Sequence, residues 1–243
     1  MLVEQAYQVF SKHRVAIPLD VCKVCCVSDE EERMLASRPL KQLSSTNLSI
    51  YIHSARCYSE KEQREMLYFI PRVLELLVNS DAPGDTSSIL LDRLFDKEGK
   101  VFIGNEAEYE FLSKFLREYW IMFVNQYEYI ETINEVLEMI GKHFSLQPML
   151  NIWQHSKSAA AVMHFADYIT YCPSKDPATG RVHEELRQWM QKPLVKKHFL
   201  PLLEAMYLNE TFATLVPGTE RDEKIAQCMQ LTIESAYNLL YTL

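Results

Sequence analysis

Three cysteines crowd one short stretch of the chain, Cys22-Lys-Val-Cys25-Cys26. Thiolates in a C-x-x-C spacing can meet one face of a tetrahedral zinc, because a tight turn brings both sulfurs to one point. A complete site needs one or two further ligands. No second C-x-x-C and no H-x-x-x-H exists, so His13, His53 or Cys57 would have to fold over to supply them. The competing expectation is that Cys22, Cys25 and Cys26 are small buried hydrophobes between two helices, an ordinary use of free cysteine. That reading carries more weight, because the ligand set is incomplete. A redox role is weaker still: no βαβ pattern surrounds the motif, and the acidic run from Asp29 to Glu32 opposes thiol activation.

A second pair, His164-Phe-Ala-Asp167, sets an imidazole and a carboxylate one helical turn apart on one face. Such a pair suits metal ligation or a base with its orienting acid. A plain His–Asp hydrogen bond at a helix surface is the more ordinary outcome, since no further groups converge on it. His183 and Glu184 are adjacent and point apart on a helix. No nucleophile elbow, phosphate-binding glycine loop, H-E-x-x-H or dinucleotide fingerprint occurs. The expectation is a protein that is not an enzyme and needs no cofactor.

Two features bear on partner binding. One is the acidic run Asp29, Glu30, Glu31, Glu32, echoed by Glu106, Glu108 and Glu110 and by Glu220, Asp222 and Glu223. All three sets fall at expected helix N-termini, where the helix dipole favours negative charge and suffices to explain them. The other is the aromatic density of Tyr119, Trp120, Phe123, Tyr127 and Tyr129, more than one buried stripe needs. Tyr119, Trp120, Tyr127 and Tyr129 are therefore candidate interface anchors, although core packing is the commoner fate of such side chains.

The elements that must position these groups are helical throughout. Apolar residues make up 48% and charged residues 24% of 243 residues, with 6 Gly and 10 Pro, values of a globular chain too glycine-poor for a many-stranded β protein. Ser28 with Glu31 and Ser59 with Glu62 read as capping boxes, Ser44 or Ser45 as a cap, and Asn105 followed by Glu108 as the start of the most helical stretch, 106–125. Pro71 predicts a kink or a split in the helix that begins near Ser59. Further helices are expected near 2–13, 86–95, 128–143, 147–156, 158–171, 181–191, 193–208 and 220–241. Asn79 to Asp85 and Cys172 to Gly180 are the long loops, and 97–105 is a loop or a brief extended piece. Ala159, Ala160 and Ala161 should let a neighbouring helix approach closely.

The fold class is all-α, a multi-helix bundle or an irregular α-solenoid of about eleven or twelve helices with no confident sheet. One domain spans 1–243, with two lobes at 1–80 and 85–243 as the alternative. No apolar run nears the roughly 20 residues of a membrane-spanning helix, and no basic segment precedes an apolar run at the N-terminus, so a cytoplasmic chain is expected. Its six cysteines, which include Cys172 and Cys228, are then expected to stay reduced. A net charge of −8 disfavours nucleic acid and anionic membranes and suits a basic protein partner, or simply solubility.

The run Cys22-x-x-Cys25-Cys26-Val-Ser-x-Glu, followed by Arg38-Pro-Leu40-x-x-Leu43, Leu48-x-x-Tyr51-x-x-Ser54-Ala55 and Tyr68-Phe-Ile-Pro71-Arg72-x-Leu74-Glu-Leu-Leu77, is similar to a family of bacterial helical proteins without an assigned activity. The resemblance covers 20–78 and, more loosely, the helices beyond, and brings no catalytic residues with it. Small acidic helical proteins of this kind resemble the immunity partners of bacterial toxins. By that association the chain would bind and neutralise a basic toxin domain. The alternatives are a metal- or thiol-dependent protein using Cys22, Cys25 and Cys26, and a homo-oligomeric structural protein.

Overall fold

The helix caps are set by side chains a few residues from the backbone groups they satisfy. The computed structural model describes residues 2–84, 87–127, 132–171, 180–215 and 220–242, with the side chains of 220–222 also left aside. At Ser28 the hydroxyl accepts the Glu31 N–H (3.3 Å) and the Glu31 carboxylate accepts the Ser28 N–H (2.8 Å). Ser44, not Ser45, caps the next helix, in the same reciprocal way with Asn47. Asn105 and Glu108 exchange hydrogen bonds of 2.8 and 2.9 Å. Each satisfies backbone donors that a helix start leaves unpaired. Ser59 departs from the expected box: its hydroxyl accepts the Glu62 N–H (3.0 Å), but the Glu62 carboxylate takes the Tyr58 N–H (2.6 Å) and turns inward.

The described helices are α1 (Val3–Val9), α2 (Asp29–Ser37), α3 (Ser45–Ile52), α4 (Glu60–Val78), α5 (Glu106–Asn125), α6 (Ile133–Gly141), α7 (Gln147–His155), α8 (Ala159–Tyr171), α9 (Gly180–Met190), α10 (Pro193–Leu208) and α11 (Glu220–Thr242). The all-α expectation holds, and among the described residues there is no strand. A single antiparallel bridge, Phe95 with Phe102, is the extended piece expected after Lys97. The helix expected over 86–95 is instead two 3₁₀ turns, Ser87–Ile89 and Asp92–Leu94. Pro71 does not split α4, which runs unbroken through it with the ring buried. The Cys172–Gly180 loop lies outside the described residues up to 179.

The chain divides into two units, one of 1–118 with 139–144 and one of 119–138 with 145–243. The expected lobes, 1–80 and 85–243, are not these. A proline- and glycine-bearing turn marks a bend in the path, but the contacts that define a unit run across this one and close 87–118 onto 1–80.

In the first unit α4 is the central element. Met66, Leu67, Phe69, Ile70, Val73, Leu74 and Leu77 are buried on more than one side of it, while Ala6 of α1 and Leu48 and Tyr51 of α3 complete the core. A charged group sits inside. Arg93 is 2% exposed and pairs with Glu62, which is 0% exposed. The guanidinium also donates to the backbone carbonyls of Ser54 and Ile52 and to Ser54 Oγ, and lies 4.9 Å from the Tyr51 ring centre. A buried charge persists only when paired and hydrogen-bonded in this way. Phe95 stacks flat on His143 with centroids 4.0 Å apart.

The second unit is built on aromatics. Trp153 stacks on Trp189 (5.3 Å) and meets Trp120 edge-on (5.6 Å), and Phe165 lies parallel to Phe199 at 3.8 Å. Two of its three buried indoles have partners, Trp120 donating to the Met149 carbonyl (2.8 Å) and Trp153 to that of Ala161 (2.9 Å), while Trp189 Nε1 meets none among the described residues. Ala160 and Ala161 are buried in α8, which packs against α10 and α11 as their small side chains permit. Among the described residues no helix is long and apolar enough to cross a membrane.

Candidate thiolate site

The cysteines lie on a turn between Val21 and Val27, both buried, and the Val27 N–H closes the turn on the Cys22 carbonyl at 3.0 Å. The turn leads directly into the Ser28 cap of α2. Its other supports are charged. Glu32 of α2 accepts the Leu19 N–H (2.6 Å) and pairs with Lys23 (2.8 Å), which also reaches Asp29 (2.9 Å). Glu65 of α4 accepts the Asp20 N–H at 3.0 and 3.1 Å, the Ser59 hydroxyl donates to the Asp20 carboxylate, and Lys61 donates to the Pro18 carbonyl (2.5 Å). Both helices thus hold the N-terminal side of the segment that carries the thiols, and its other side continues into α2.

Within the turn Cys25 Sγ stands 3.6 Å from Cys22 Sγ and 3.4 Å from Cys26 Sγ, and the three sulfurs all lie within 4.8 Å of one another. No disulfide joins them. The backbone N–H groups of Cys25 and then Val24 point at Cys22 Sγ and, helped by the Cys25 thiol, lower its pKa to about 7. Cys25 is driven the other way, to about 11, by its contacts with Cys26 and then Cys22, so it keeps its proton beside the incipient thiolate. Two carboxylates of the acidic run, Asp29 and Glu32, are paired with Lys23 of the turn itself. The expectation of three buried packing cysteines is overturned: Cys25 is exposed, and Cys22 and Cys26 are partly so.

None of the expected extra ligands joins the group. His13 Nε2 is 2.7 Å from Glu108, a carboxylate that also pairs with Lys12 at 3.0 Å. His53 Nδ1 sits against Ser49 (3.2 Å to Oγ). Its ring fills the space beside Gly84, where φ is +98° and a Cβ would come within 1.8 Å of His53 Cε1, so only glycine fits. Burial and the neighbouring Asp20 raise the Cys57 thiol to about 11. Cys172 lies outside the described residues.

The candidate partner surface comes apart. Asp29 and Glu30 are exposed and Glu31 is half-buried in its cap, but Glu32 is buried and occupied by Leu19 and Lys23, so it is no part of an acidic face. Tyr119 and Trp120 are buried, the latter completely, and cannot anchor a partner. They continue the stripe of Leu112, Phe115, Leu116, Phe123 and Val124, seven positions at helical spacing that one buried face absorbs. Tyr127 is half-buried and donates to Asp167 (2.7 Å). Tyr129 lies outside the described residues.

The surface His164–Asp167 hydrogen bond is also overturned. His164 is buried, stacked near Phe123 (4.7 Å), and its Nε2 meets the carbonyls of Gln126 (2.9 Å) and Phe123 (3.2 Å). Burial pushes its pKa down to about 4, and burial pushes Asp167 up to about 6. Both side chains secure the end of α5 instead of facing a substrate. No family model, no curated protein and no solved structure matches the chain.

Proposed function

We propose that this protein binds a soft metal ion through Cys22, Cys25 and Cys26. One observation carries the reading: three sulfurs within 4.8 Å of one another on an accessible turn whose N-terminal side is tied to α2 and α4 and whose other side runs into α2. Zinc–sulfur bonds of about 2.3 Å set tetrahedral sulfur–sulfur edges near 3.8 Å, so the pairs at 3.4 and 3.6 Å need to open by only a few tenths of an ångström. Thiolate is also the donor that soft ions prefer. The reduced protein titrated with cobalt(II) or cadmium should give a sulfur-to-metal charge-transfer band that saturates at one equivalent and disappears in the Cys22→Ser/Cys25→Ser/Cys26→Ser variant. A triple variant that retains the band would remove the site from these cysteines.

A second reading, a protein-binding module of the toxin-neutralising kind, draws support from a different place. On α10 and α11 Leu194, Leu208, Leu231, Leu239 and Tyr241 are 42–74% exposed, apolar surface that a partner could cover. Asp29 and Glu30 add a small acidic patch suited to a basic partner. Co-expression with a basic toxin domain encoded beside this chain should relieve toxicity, and Leu231→Asp with Leu239→Asp should diminish the relief. Unrelieved toxicity would discard this reading.

A further inference from the structure

Resting on the thiolate reading above, we infer that the ion is cuprous copper, held three-coordinate by Cys22, Cys25 and Cys26 alone and open to exchange with an incoming thiolate. Sulfur–sulfur distances of 3.4, 3.6 and at most 4.8 Å define a triangle whose equidistant in-plane point lies about 2.0–2.4 Å from each sulfur, which brackets the roughly 2.3 Å of a metal–thiolate bond. An ion can therefore sit in the plane of its ligands, as three-coordinate Cu(I) does; the number of donors, not the triangle's size, tells it from zinc. A tetrahedral zinc would sit above a slightly narrower triangle, with edges of about 3.8 Å against about 4.0 Å for the planar ion, and would require a fourth donor.

No such donor is at hand among the described residues. Of the carboxylates nearest in sequence, Asp20 accepts from Ser59, Asp29 and Glu32 are engaged by Lys23 and Glu31 by Ser28, Glu30 is exposed, and none of them is grouped with the three sulfurs. His13 and His53 are held elsewhere. The acidic neighbours favour a divalent ion electrostatically, but Asp29 is largely in water, where such attraction is screened. Coordination number is not screened, and it decides. Exposure of Cys25 at the turn leaves one side of the triangle open, which a closed structural site would not. Binding displaces the thiol protons to solvent and leaves the copper in its monovalent state throughout.

The test is anaerobic titration of the full reduced chain with Cu(I), supplied as its acetonitrile complex, against a chromogenic Cu(I) chelator, with a parallel zinc titration. X-ray absorption would identify the ligands. One equivalent of Cu(I) with three sulfur neighbours and no nitrogen or oxygen is expected. Cys25→Ser should weaken binding at least about 100-fold, since even outer-shell partners of a metal account for 10–100-fold. Cys228→Ser, exposed and remote in sequence, should leave it unchanged, and circular dichroism should show both variants folded. Stoichiometric zinc with Cu(I) lost to the chelator, or copper bound by two sulfurs, would overturn the inference and leave the thiolate reading standing. Binding of neither metal would overturn both.

Discussion

Replacing Arg93 by methionine keeps the length and apolar character of the side chain and removes its charge. In the first unit that charge is matched by Glu62, and neither residue has more than 2% of its surface in water. The variant strips Glu62 of its closest partner and leaves the Ser54 and Ile52 carbonyls without their shared donor. Leaving one member of a buried pair uncompensated costs about 3–5 kcal/mol. The Tyr58 N–H still reaches Glu62, and Arg56 Nε stands 3.5 Å away, so the lower end, about 3 kcal/mol, is expected. For a chain of this size that lowers Tm by roughly 6–12 °C. Adding Glu62→Gln removes the stranded charge, so the double variant should be more stable than Arg93→Met alone. The assay is urea unfolding followed by far-ultraviolet circular dichroism for the three proteins. A loss below about 1 kcal/mol for Arg93→Met, or a double variant weaker than both singles, would show that the pair does not hold the unit together as the structure implies.

Three further outcomes follow from particular contacts. His164 has a folded pKa of about 4 against an ordinary 6.5, so stability falls as pH drops between those values, while Asp167, raised from 3.8 to about 6, gains stability over nearly the same window. The two slopes oppose; Asp167→Asn should expose an acid sensitivity of roughly 3 kcal/mol between pH 6.5 and 4, and an acid-unfolding curve superimposable on that of the parent would refute it. Glu30→Lys should change stability by no more than about 0.5 kcal/mol in thermal unfolding, whereas Glu32→Lys, which strands the Leu19 N–H and faces Lys23, should cost at least about 3 kcal/mol. Equal effects would contradict the burial of Glu32. Iodide should barely quench the emission of Trp120, Trp153 and Trp189 in the folded protein, all of them buried, and efficient quenching would return Trp120 to the surface.

What the sequence disclosed was decided within a few residues. Ser28 with Glu31, Ser44 with Asn47 and Asn105 with Glu108 each form a cap whose partners are three positions apart, and each starts a helix where expected. The sulfur cluster was visible for the same reason, because five consecutive residues contain it. What depended on distant partners was misread. Ser59 and Glu62 have the spacing of a capping box, but Glu62 answers to Arg93, 31 positions away. His164 and Asp167 look like a pair on a helix and instead serve the end of another helix some 40 positions earlier. Glu32 looks like one more solvated charge in an acidic run, and its partner is a backbone N–H on the far side of the cysteine turn. The aromatic run was misjudged for a geometric reason: Tyr119, Trp120 and Phe123 extend the stripe begun by Leu112 and Phe115, so density along the chain was not excess around the helix.

Because 139–144 belong with 1–118 while 119–138 belong with 145–243, the polypeptide passes from one unit to the other three times. No single cleavage therefore gives each unit a fragment of its own: a cut after 144 keeps the first unit whole but takes 119–138 with it, and a cut after 118 keeps the second whole but takes 139–144. Expression of 1–118 alone would lack His143 and Phe144, and with them the ring stacked on Phe95; expression of 145–243 alone would lack Trp120 from its aromatic centre. Each unit is completed only when its residues from both halves of the chain have been made. Truncation can keep one unit whole only with a piece of the other attached; a unit free of its partner's residues calls for internal replacement.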